Sequence, residues 1–142
     1  MNKKIFLVAG GSGGHLFPAL SVIEELTDYD TLLITDKRTE KYLKNIDKKY
    51  RKIITARIQI NIFLIFNLIK LLISLLDNIF IILTKRPDIV IGFGGYTSIP
   101  TLLAAKILRK RIIIHEQNAV MGKTNRLLSK ISDLVTITFP NT

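Results

Sequence analysis

Short runs at 5–9, 31–35, 88–92, 111–115 and 134–139 are apolar or β-branched nearly throughout. Between them lie stretches that read as helices, at 16–26, 39–45, 98–108 and 123–131, and a weak further strand at 53–54. A strand buried on both faces has no polar side to alternate with, and such strands separated by helices imply a parallel sheet covered on both faces. The expected fold is therefore a doubly wound, Rossmann-like α/β unit, and the 142 residues suffice for one such domain. Pro18 is placed in the first turn of its helix, where its missing N–H costs little.

In a sheet of this kind ligands bind beyond the carboxyl ends of the strands. All eight glycines fall at three places: Gly10, Gly11, Gly13 and Gly14, then Gly92, Gly94 and Gly95, then Gly122. The first two groups follow strands and open helices, and His115-Glu116-Gln117-Asn118 follows a third strand end. Glycines there let backbone approach a ligand closely, and a helix N-terminus offers free N–H groups and positive dipole. Two such loops on one edge could share the two phosphates of a diphosphate; the bland alternative is a pair of tight turns that bind nothing. The pattern G-x-G-x-x-G fails because Leu16 takes the last glycine position, and G-x-x-x-x-G-K-[ST] is absent, which argues against dinucleotide and P-loop binding. His15 falls in the first helical turn, where the dipole favours a neutral imidazole. It reads either as a general base or as a capping or packing residue.

Residues 62–84 form a long apolar stretch that would just span a bilayer. On a helix, Asn67, Lys70, Ser74, Asp77 and Asn78 make one narrow polar stripe and leave a very wide apolar face. Upstream stand Lys37, Arg38, Lys41, Lys44, Lys48, Lys49, Arg51, Lys52 and Arg57, opposed by Asp36, Glu40 and Asp47 alone. Apolar surface beside basic charge holds a protein on an anionic leaflet, so interfacial attachment is preferred to a spanning helix or a covered crossover helix.

The net charge of +10 calls for an anionic partner. Nucleic acid is not favoured, because the basic residues are not interleaved with aromatics that could stack bases. With no cysteine and two histidines there is no convincing metal site, and none is expected. Asp28-Tyr29-Asp30 spells D-x-D but falls past a helix end, away from the glycine edge, and reads as a solvated turn. The apolar run at 5–9 is too short for an export signal, so the chain is expected to be cytoplasmic.

The stretches AGGSGGHLFPAL (9–20), GFGGYTSIP (92–100) and HEQNAVMG (115–122), followed by Thr124-Asn125-Arg126, closely resemble the MurG family of bacterial glycosyltransferases. One departure is Ser12, where the family commonly has threonine. The resemblance runs from the first strand to Pro140 and is weakest across 40–84. It implies the amino-terminal half of a two-domain GT-B enzyme. Such an enzyme transfers GlcNAc from UDP-GlcNAc to undecaprenyl-pyrophosphoryl-MurNAc-pentapeptide, lipid I, to make lipid II of peptidoglycan.

By this resemblance His15 would be the base for the acceptor C4 hydroxyl. Gly11, Ser12, Gly13, Gly14, Gly94, Gly95, Tyr96 and Thr97 would bind the acceptor diphosphate, with His115, Glu116, Asn118 and Asn125 nearby. Ile62, Phe63, Phe66 and Leu72 would touch the cytoplasmic face of the inner membrane, where the protein is expected as a peripheral one. No cofactor is implied. The 142 residues would form the acceptor domain without the donor-binding domain, so the chain alone is expected to be inactive. The alternative is a non-catalytic, membrane-bound acceptor-binding subunit or remnant that needs a separate donor-binding chain.

Overall fold

Along the first strand, Ile5, Leu7 and Ala9 join one core cluster while Phe6 and Val8 join the other, the two-sided burial expected of a central parallel strand. The structure, a computed structural model of the chain, describes residues 3–44, 46–55 and 64–142. Six strands, β1 (Lys4–Val8), β2 (Asp30–Thr35), β3 (Tyr50–Lys52), β4 (Ile89–Gly92), β5 (Arg111–Glu116) and β6 (Leu134–Ile137), form one sheet in the order β3-β2-β1-β4-β5-β6. All five pairings are parallel. The helices are α1 (Gly13–Glu25), α2 (Glu40–Leu43), α3 (Leu64–Lys85), α4 (Ser98–Ile107) and α5 (Lys123–Leu128). One core face packs against α1 and α2 through Leu16, Leu20, Ile23 and Leu43, and the other takes Ile81, Ile82 and Leu102 from α3 and α4.

The doubly wound sheet is the one expected, with three local differences. Helix α1 begins at Gly13, three residues before the expected start at 16. Pro18 consequently sits in the second turn rather than the first, where its ring nitrogen cannot donate to the Gly14 carbonyl. The third strand lies at Tyr50–Lys52, not 53–54, because this edge strand is exposed and polar. Ile53 follows it as a buried anchor, its N–H donating to Thr35 O at 2.8 Å. The basic stretch near 40 is a 3-10 turn (Lys37–Thr39) leading into a single turn of α2, and α5 stops at Leu128.

Helix α3 presents the wide apolar face expected of it. Its small polar residues face inward: Ser74 and Asn78 are buried, and Asn78 Oδ1 accepts from Thr101 Oγ1 of α4 at 2.8 Å. The exposed face is the apolar one, carrying Ile65, Phe66, Ile69, Leu72, Leu76, Phe80 and Leu83 at 49–69% exposure. Residues Ile65–Lys85 are long and apolar enough to cross a membrane by length and composition. An ion pair between Arg51 and Asp77, 2.5 Å, brings basic strand β3 alongside this helix. Ile62, Phe63 and Arg57 lie outside the described residues.

Candidate functional site

Because all strands run one way, the segments after β1, β2, β4 and β5 meet along one edge of the sheet. Loop 10–12 leads from β1 into α1, loop 93–97 from β4 into α4, and loop 117–122 from β5 into α5. The first two pack backbone to backbone: a Cβ on Gly95 would stand 2.7 Å from Gly10 O, and Gly95 has φ +77°. Any larger residue there would push the loops apart. Gly10 faces the Thr97 hydroxyl and Asp36 just as closely.

Asp36, at the end of β2, ties these loops together. Its carboxylate is 2% exposed, and it accepts from Arg38 N (2.8 Å), Nε (3.2 Å) and Nη2 (2.7 Å) and from Thr97 Oγ1 (2.5 Å). Burial pushes its pKa up, but these donors and the guanidinium charge outweigh that and hold it below the usual value. The Arg38 guanidinium lies beside Gly11, 3.3 Å from where a Cβ would be. Arg38 therefore belongs to the strand-end edge and is ion-paired, whereas the sequence groups it with the basic surface. Thr97 is fully buried, and its hydroxyl serves Asp36.

Helix α1 opens with Gly13 and Gly14, whose N–H groups have no intrahelical acceptor. The N-cap Ser12 makes no side-chain capping bond, so its hydroxyl does not compete for them. His15 follows in the same turn. Its ring lies against the second loop, 3.1 Å and 3.4 Å from the Cβ positions of Gly94 and Gly95. Its Nδ1 meets the Gln117 side-chain amide of the third loop at 2.7 Å. A cleft of about 200 Å³ opens between His15, the Gly94-Gly95 turn, Tyr96, Asn125 and the start of α5 at Lys123 and Thr124. A larger, shallower hollow of about 480 Å³, lined by Lys106, Arg109, Lys110, Arg111 and Asp133, lies at the opposite edge, far from the glycine loops.

Glu116 is buried, and both its oxygens are occupied. Oε1 accepts from Asn118 N (3.0 Å) and Nδ2 (2.8 Å), and Oε2 from Gly122 N (3.0 Å) and Asn125 Nδ2 (2.9 Å). Burial alone would raise its pKa, yet the hydrogen bonds overcome that and lower it. The carboxylate thus shapes loop 117–122, and Asn118 and Asn125 are held by it. Asn125 Oδ1 is buried and makes no protein hydrogen bond among the described residues.

His115 turns away from His15. Its Nδ1 meets Thr136 Oγ1 at 2.9 Å and its Nε2 meets Thr138 Oγ1 at 3.3 Å, with the ring 5.5 Å from that of Phe93. Burial lowers its pKa against the opposing pull of Glu116. The edge therefore brings together His15, the two glycine loops, Tyr96, Glu116 and Asn125, and it leaves His115 facing β6. Asp36, Arg38, Gln117 and Lys123 are part of it and were not among the sequence candidates. Asp36 was findable as the residue directly after β2, at the same strand-end level as the loops. Among the described residues no group of His, Asp or Glu side chains could hold a metal ion, and Asp28-Tyr29-Asp30 lies at the opposite edge, where Asp30 pairs with Lys4 and Lys49.

Residues 5–137 match the glycosyltransferase family 28 N-terminal domain. The chain is 40% identical over 141 residues to the UDP-N-acetylglucosamine--N-acetylmuramyl-(pentapeptide) pyrophosphoryl-undecaprenol N-acetylglucosamine transferase of Rickettsia canadensis. That match covers 98% of the chain and 39% of the relative. The same-named protein of Rickettsia bellii is 41% identical over 150 residues, covering 99% and 39% respectively. Among solved structures, MurG of Acinetobacter baumannii superposes with a TM-score of 0.85 at 32% identity, over 99% of this chain and 43% of that one. A UDP-N-acetylglucosamine 2-epimerase reaches a TM-score of 0.68 at 15% identity, a likeness of fold alone. The chain thus spans about two fifths of the length of the relatives it matches.

Proposed function

The chain belongs to the glycosyltransferase family 28 N-terminal domain family, and from that premise we propose that it is the acceptor-binding half of a MurG-type transferase. Its acceptor is a polyprenyl-diphosphate-linked MurNAc-pentapeptide, lipid I, and the donor UDP-GlcNAc is bound by a carboxyl-terminal domain. The observation that carries this reading is the packing of two glycine loops, each opening a helix, around one histidine. Free N–H groups at Gly13 and Gly14 take one phosphate, and the Gly94–Tyr96 loop takes the other. Lys123 adds positive charge beside the cleft, and the Arg38 guanidinium, ion-paired to Asp36, lies against Gly11.

In this reading His15 Nε2 accepts the proton of the acceptor C4 hydroxyl. The oxygen attacks C1 of GlcNAc, the C1–O bond to UDP breaks, and UDP leaves with the bonding pair, inverting the anomeric centre. Glu116 shapes the loop beside the base, and Asp36 sets the spacing of the two glycine loops. Asn125 Oδ1 supplies a buried acceptor for a sugar or peptide donor group.

The lipid tail places the substrate in a membrane, and α3 is the element that would meet it. The connection from β3 to β4 runs α3 antiparallel to the strands, so its exposed apolar face begins at the edge where the site opens. Phe66 and Leu72 lie on that face, and Arg51 of β3 is tied to the same helix through Asp77. We place the domain as a peripheral protein on the cytoplasmic leaflet. The test of the catalytic role is His15→Ala in the complete enzyme. A general base contributes about 10²–10⁴-fold, so kcat should fall by that order with acceptor KM nearly unchanged. Equal losses in kcat and affinity would remove His15 from that role.

A further inference from the structure

A histidine that accepts a proton through Nε2 must carry its own proton on Nδ1, and what holds it there is decided by the group facing Nδ1. Here that group is the Gln117 amide, 2.7 Å away. The amide nitrogen faces Nδ1, and the carbonyl oxygen Oε1 is buried with no hydrogen-bond partner among the described residues. In that orientation Nδ1 is the acceptor, the neutral ring carries its proton on Nε2, and no bare nitrogen is left for a substrate hydroxyl. A half-turn of the amide brings Oε1 onto Nδ1–H, gives the unpartnered carbonyl a donor and frees the Nε2 lone pair.

We propose that Gln117 is the positioning residue for His15: its carbonyl accepts from Nδ1–H in the working state, and so commits Nε2 as the proton-accepting nitrogen. This rests on the reading of His15 as the base. The geometry is a neutral counterpart of a carboxylate that orients a catalytic imidazole. Once Nε2 takes the proton, the same Nδ1–H···O contact becomes charge-assisted and stabilises the imidazolium that forms. No covalent bond changes at Gln117, and the hydroxyl proton ends on Nε2.

The chain has two histidines, so ring 15N shifts of the labelled protein, taken well above the imidazole titration range, report each tautomer directly. The expected result is His15 in the Nδ1–H form. Gln117→Leu should convert it to the Nε2–H form, and Gln117→Glu, whose carboxylate oxygens only accept, should retain Nδ1–H. His115, bonded to Thr136 and Thr138, should be unmoved in both variants and so certifies the fold. A wild-type His15 in the Nε2–H form that Gln117→Leu leaves unchanged would overturn the proposal. In the complete enzyme, Gln117→Leu should lower kcat by roughly tenfold or more while acceptor KM holds. The two readings fail separately. An Nδ1–H tautomer lost in Gln117→Leu while His15→Ala keeps full kcat would sink the base and leave the positioning contact standing.

Discussion

Glu116 illustrates how a single residue can line a cleft and also scaffold it. Its oxygens hold Asn118, Gly122 and Asn125, so the loop between β5 and α5 depends on its charge. Glu116→Gln would set an amide N–H against donors and should cost about 1–3 kcal/mol in urea unfolding. The pH dependence has a defined sign. The folded pKa lies below the ordinary 4.5, so this stabilisation is complete above that value and is lost as pH falls through the folded pKa. Wild type should weaken across that acid window, and Glu116→Gln should weaken less steeply there. Gly95→Ala should destabilise by about 1 kcal/mol or more, since a Cβ meets Gly10 O at a positive φ, and should abolish acceptor binding. The packed glycine loops were legible because close backbone approach demands that residue type after a strand end. The contacts of Gln117 and Asp36 were not, because the His15 and Thr97 partners come from other loops.

Among the elements, the strands were the most readable, since two-sided burial leaves continuous apolar runs. The start of α1 was displaced because glycine argues against helix, whereas Gly13 and Gly14 occupy its first turn. Strand β3 was shifted because an edge strand with exposed side chains leaves no apolar signature. In α3 the polar stripe was correct as a pattern, yet its direction could not be read from periodicity. Asn78 and Ser74 bury themselves because α4 offers Thr101 as a partner. Asn78→Ala should leave the Thr101 hydroxyl only its longer bond to Thr97 O and cost about 1 kcal/mol in thermal or urea unfolding. Phe66→Ser with Leu72→Ser should leave the far-UV spectrum unchanged and weaken co-sedimentation with anionic vesicles on the order of tenfold or more. Binding that survives both changes would move the membrane contact off this face.

For the molecule as a whole, the sheet order gathers four strand ends on one edge, and the crossover through α3 sets an exposed apolar face beside them. The proposed substrate class, a lipid-linked diphosphate, would use both features at once. The two are separable. Loop variants should lose the headgroup while keeping vesicles, and α3 variants the reverse. Positioning of two substrates contributes up to ~7–11 kcal/mol to rate enhancement, so an acceptor domain assayed without a donor domain should transfer no detectable GlcNAc, and adding the donor domain should restore transfer. The central claim, that this edge binds the acceptor diphosphate, is tested most directly by titrating the chain with a short-chain lipid I analogue and following backbone amide shifts. The account predicts saturable shifts centred on Gly11–Gly14 and Gly94–Tyr96, competed by pyrophosphate and untouched by UDP-GlcNAc. Shifts confined to other surfaces, or the same loops responding to UDP-GlcNAc instead, would contradict it.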